Sequence, residues 1–145
     1  MEAPELRQLL LDLYESRKGA KEWLEYWLDP DSKELTEKYA AKLHYVFYSK
    51  TGKPRTKPKL TEGNRLLHNY MTMCYDHERV AWLLLMYAEE ECEWLQTRWK
   101  RTSHQTSMRK NLTAAKLYID KTGLEELYGK RIKRLEKTVD SLFPY

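Results

Sequence analysis

The sequence predicts an all-α protein: six or seven helices in antiparallel hairpins, forming a compact bundle or a short solenoid-like stack. Apolar residues recur at helical spacing along nearly the whole chain, and no run alternates with period two between turn signals. Punctuation is sparse, with five glycines and five prolines in 145 residues. An apolar content of 41% suffices for a core, and the 33% of charged residues can cover it. At this length a single helical domain over residues 1–145 is expected.

Pro4 suits a first helical turn, and Leu6, Leu9, Leu10 and Leu13 then share a face. That helix stops or bends near Gly19. Trp23, Leu24, Trp27 and Leu28 form the next apolar face, ended by Asp29-Pro30. Asp31 or Ser32 is placed to cap a third helix that turns Leu35, Tyr39, Leu43, Val46 and Phe47 inward. A basic loop containing Pro and Gly follows over about 49–60.

Thr61 is the expected cap of the next helix, with Leu66, Leu67, Tyr70, Met71 and Cys74 facing in. Asp76 then caps the longest helix, roughly 77–100. Its first half, around VAWLLLMYA, is apolar on all sides and should be the most buried element. A turn over 102–107 leads to a helix with Met108, Leu112, Ala115, Tyr118 and Ile119, ending near Gly123. The last helix carries Leu124, Leu127, Tyr128, Ile132, Leu135, Val139 and Leu142.

Charge is segregated beneath the net +4: residues 1–48 sum to −3, 49–60 to +5, 61–93 to −5 and 94–145 to +7. Such asymmetry suits a patch that docks something acidic, or two halves of opposite sign that quench each other on packing. Two basic features form the candidate polyanion site. One is the loop with Lys50, Lys53, Arg55, Lys57 and Lys59. The other is Lys130, Lys133, Arg134 and Lys137, which fall on one helical face. Phosphates would relieve the repulsion among them and release counterions. The competing reading is ordinary solvated surface and, for the loop, a soluble tether that is at most a weak electrostatic handle.

Catalytic and metal signals are thin. His44, His68, His77 and His104 have no partner at metal-ligand spacing, and the consecutive Glu89, Glu90, Glu91 and Glu93 spread around a helix as a solvated face. Asp76-His77-Glu78 reads as a cap and a favourable first turn, not as a site. No phosphate-binding glycine loop occurs, and Pro54 after Gly52-Lys53 removes an amide such a loop would use. No catalytic residue, cofactor or metal is assigned. Cys74 and Cys92 are expected as buried free thiols, and no apolar run has the about 20 residues needed to span a bilayer. The N-terminus, with Glu2 and Glu5 before its leucines, lacks the pattern of a secretory signal.

Residues 9–48, the basic loop and the helix near Thr61 resemble an uncharacterised helical family of Bacteroides-like bacteria, a domain of unknown function. The resemblance is carried by Leu13-Tyr14, Lys21-Glu22-Trp23, Trp27-Leu28-Asp29-Pro30 and Glu37-Lys38-Tyr39. It implies a bacterial, cytoplasmic, all-helical protein and brings no catalytic residue. The expectation is a non-enzymatic interaction or accessory domain whose partner is another protein. The alternative is a nucleic-acid-binding module using 50–59 together with 130–137.

Overall fold

The computed structural model describes residues 3–16, 33–74, 76–98 and 101–144. Among them lie six α-helices: α1 (Ala3–Ser16), α2 (Lys33–Phe47), α3 (Leu60–Met73), α4 (His77–Gln96), α5 (Gln105–Thr122) and α6 (Glu125–Leu142). A 3-10 turn at Thr102–His104 precedes α5, so Ser107 belongs to that helix and not to the turn. The expected helix around Trp23 and Trp27, its Asp29-Pro30 end and the Asp31 or Ser32 cap lie outside the described residues. The fold is an all-α bundle, and the pairing nearest to a strand among the described residues is one antiparallel bridge, Tyr48 to Pro54.

The chain divides into two units, Met1–Lys38 and Tyr39–Tyr145, with the boundary inside α2. In the first, Leu6 and Leu9 of α1 remain about half exposed, while Leu35 is buried.

The second unit is organised around α4. Val80, Ala81, Leu83, Leu84, Leu85, Tyr87 and Ala88 are all buried, as expected of a helix apolar on every side. It packs against α3, α5 and α6, and α5 also packs against α6. Glu91 meets Ser107 and Asn111 near the start of α5, and His77 meets Tyr118 near its end, so α4 and α5 run antiparallel. Arg109 at the start of α5 pairs with Asp140 near the end of α6, which makes that pair antiparallel too. Phe47 of α2 reaches the core through ring contacts to Tyr87 at 5.3 Å and Trp94 at 6.1 Å.

Several expected details shift. Met71 is 40% exposed and Met73 is buried instead, because one residue beyond Tyr70 turns about 100° off the inward face. Leu127 is 54% exposed beside the buried Tyr128 for the same reason. The helix over 77–100 stops at Gln96. There Thr97 Oγ1 donates to the Trp94 carbonyl at 2.6 Å and Arg101 Nε to the Leu95 carbonyl at 2.8 Å, so side chains satisfy carbonyls that another turn would have used.

Candidate functional site

The loop after α2 is not a free tether. Gly52 adopts φ +86° and its amide donates to the Ser49 carbonyl at 2.9 Å, while the Ser49 amide donates to the Lys53 carbonyl at 2.8 Å. The chain then runs back along its own helix end. Arg55 N donates to the Phe47 carbonyl at 2.8 Å, and Lys59 N to the Val46 carbonyl at 3.0 Å. Arg55 ties the loop down at both ends of the residue. Its Nε donates to the Tyr45 carbonyl at 2.7 Å, and its own carbonyl accepts from Trp94 Nε1 at 2.9 Å and from the Arg98 guanidinium. Arg98 also stacks over the Trp94 ring at 5.1 Å, and that tryptophan is buried. The tether expectation is corrected because the loop's backbone polar groups find donors and acceptors on α2 and α4 instead of water. Lys50, Lys53, Lys57 and Lys59 nevertheless project outward, and none has an acidic partner among the described residues.

Helix α6 presents the second basic group. Tyr128, Ile132, Leu135 and Val139 are buried, and Lys130, Lys133, Arg134 and Lys137 lie about half a turn away from that stripe and are exposed. No carboxylate among the described residues pairs with these four. Neighbouring cations are taken: Arg131 pairs with Glu89 of α4, Lys116 with Glu136 at 3.2 Å, and Arg109 with Asp140 at 3.3 Å. A shallow cleft of about 150 Å³ between α4 and α6 is lined by Glu89, Cys92, Glu93, Gln96, Arg131 and Arg134, among others.

The nine candidate residues therefore do not form one footprint. The loop is held on the Trp94 side of α4. The α4 residues that meet α6 in the cleft, Glu89, Cys92 and Gln96, lie about 140–160° around the helix from Trp94, and Glu93 about 100°. Helix α4 stands between the two basic segments; Arg134 borders its cleft with α6, whereas Lys130, Lys133 and Lys137 do not line it.

The four glutamates clustered late in α4 meet four different fates. Glu89 pairs with Arg131, and Glu90 with His44 Nδ1 at 3.1 Å. Glu93 is exposed; its charge and that of Glu90, added to burial as the larger cause, push the Tyr48 hydroxyl up to about 12. Glu91 is 1% exposed, which overturns its assignment to a solvated face. Its Oε2 accepts from Ser107 Oγ at 3.0 Å and Asn111 Nδ2 at 3.2 Å, while Oε1 has no partner among the described residues. Burial pushes the carboxyl up to about 7, and the two hydrogen bonds hold it back from rising further. The signal was present in the sequence: Glu91 continues the stripe Ala81, Leu84, Ala88 at alternating spacings of three and four, and Leu95 follows it.

Asp76 caps α4 as expected, accepting from Glu78 N at 3.1 Å and Arg79 N at 3.4 Å. Cys74 and Cys92 are free and buried. Among the described residues no three His, Cys, Asp or Glu side chains gather as metal ligands would, and no helix is long and apolar enough to cross a membrane. No protein-family model matches the chain, nor does any curated protein or solved structure.

Proposed function

We propose that this chain is a non-enzymatic helical interaction domain of the bacterial cytoplasm that docks an acidic surface of another protein through the outward face of α6. The observation that carries this reading is that Lys130, Lys133, Arg134 and Lys137 share the exposed side of α6 with no acidic partner among the described residues, while Arg109, Lys116 and Arg131 nearby are paired. Four like charges at spacings of three and four repel by a few tenths of a kcal/mol per pair, and an acidic partner removes that repulsion. Held on a rigid, core-packed helix, the four charges are ordered before binding, which limits the entropy lost on docking. The alternative, a nucleic-acid module reading one strand or duplex with both basic segments, needs them on one surface, and α4 separates them.

The test is fluorescence anisotropy at low salt with a labelled oligoglutamate peptide and with labelled single- and double-stranded oligonucleotides. The peptide should bind, weaken steeply with added salt, and lose at least tenfold in affinity in Lys133→Glu/Lys137→Glu. Lys53→Glu/Lys57→Glu should leave it unchanged. Absence of peptide binding sinks the reading. Oligonucleotide binding that needs both segments transfers the function to the alternative.

A further inference from the structure

At the junction of α3, α4 and α5, two buried polar atoms one helical turn apart, Glu91 Oε1 and Tyr87 Oη, have no hydrogen-bond partner among the described residues. The elements around them offer no compensating cation. Helix α5 presents Ser107 and Asn111, both neutral donors, and both directed to Oε2. Helix α3 presents Gly63, whose Cα lies so close to Tyr87 that an added Cβ would sit 2.2 Å from Oη. Helix α2 presents Phe47 against the Tyr87 ring, and the turn before α5 presents His104 against Trp94. On α4 itself the titratable groups that feel Glu91 are Tyr87 and Cys92, acids that burial keeps protonated. Arg131 and Arg134 of α6 lie on the other flank of α4, toward Glu89 and Glu93. Among the described residues, no Lys, Arg or His pairs with Glu91.

We propose that Glu91 is a protonation-controlled latch: as a neutral acid it holds the first turns of α5 on α4, and as a carboxylate it loosens them. The proton belongs on Oε1, since Oε2 already accepts twice. An ionised carboxylate here would be desolvated with only two neutral donors against it. The folded carboxyl titrates at about 7 against an ordinary 4.5. Between those values the folded chain binds more protons than the unfolded one, so stability falls as pH rises through the window. Below it the group contributes no pH dependence, and above it the loss is complete. The difference amounts to roughly 300-fold in the folding equilibrium.

The experiment is urea unfolding of the full chain from about pH 5 to about pH 8, wild type beside Glu91→Gln, with hydrogen exchange and infrared spectra of the wild type. The wild type should lose stability as pH rises, and the isosteric variant should lack that loss and be the more stable of the two at the upper end. Protection factors, corrected for intrinsic exchange, should fall first over residues 107–112. Independently of whether the variant folds, a protonated carboxyl band should persist in the wild type at about pH 6, where exposed carboxyls are ionised, and vanish by about pH 8. Parallel pH profiles, absence of that band at about pH 6, or loss of protection that does not begin in α5 would overturn the proposal.

Discussion

At the scale of single residues, Gly63 and Tyr87 fit with no room for a side chain between them. A methyl group added at residue 63 would stand 2.2 Å from Tyr87 Oη and 2.9 Å from Cζ, so the ring or the helix must move. Overpacking of this kind costs about 1–3 kcal/mol. Gly63→Ala should therefore lower the urea midpoint without changing the slope, and its cost should shrink in a Tyr87→Phe background, where the nearest atom is gone. Equal costs in the two backgrounds would mean that the hydroxyl is not what resists the methyl group. Neither this contact nor the burial of Glu91 follows from residue type. Gly63 sits in Thr61-Glu62-Gly63-Asn64 with nothing to mark it, since its constraint comes from a side chain 24 positions away. Glu91 was legible as an acid in an apolar stripe, but the three glutamates around it, Glu89, Glu90 and Glu93, suggested solvent.

At the scale of elements, helix ends separate into those written locally and those settled by neighbours. Asp76 caps α4 with its own side chain, and Gly123 closes α5 in the left-handed conformation at φ +72°, both at the positions expected. Thr61 was expected to cap α3, yet the helix begins at Leu60 behind Lys59, which makes no side-chain cap hydrogen bond. The reason is the loop: Lys59 N is drawn to the Val46 carbonyl, so α3 starts before Thr61 can serve as its cap. Asp76→Ala should accordingly cost about 1 kcal/mol in thermal or urea unfolding, and Thr61→Ala should stay within about 0.5 kcal/mol of wild type. A comparable loss at both positions would contradict this assignment. Helix existence and the inward stripes of α2, α4 and α5 were legible because burial follows a fixed angular period. The exposed Met71 and Leu127 were not, since each stands one residue from the edge of its stripe.

At the scale of the whole molecule, the segregated charge resolves into two parts. Some of the acidic stretch 61–93 meets some of the basic stretch 94–145, as Glu89 and Arg131 show, and that portion is quenched by packing. The rest, on the outer side of α6 and on the loop lysines, stays unpaired among the described residues. The loop's order depends on contacts with α4 rather than on its own composition. Arg98→Ala removes one of two donors to the Arg55 carbonyl together with the stack on Trp94. A half-buried charged hydrogen bond of this sort is worth about 1 kcal/mol, so local opening should rise roughly fivefold. Limited trypsin digestion should then cut faster after Lys50 and Arg55, with the thermal midpoint nearly unchanged. An unaltered cleavage rate would show that Trp94 alone secures the loop.

The helices and their inward faces were set by spacing along the chain, because a rod with 3.6 residues per turn presents the same side every third or fourth position and water expels that side wherever it is apolar. Spacing cannot say which rods meet. Their meeting is what buried Glu91 between α4 and α5, pinned Arg55 beneath Trp94, and placed α4 between two basic segments that composition alone would have joined.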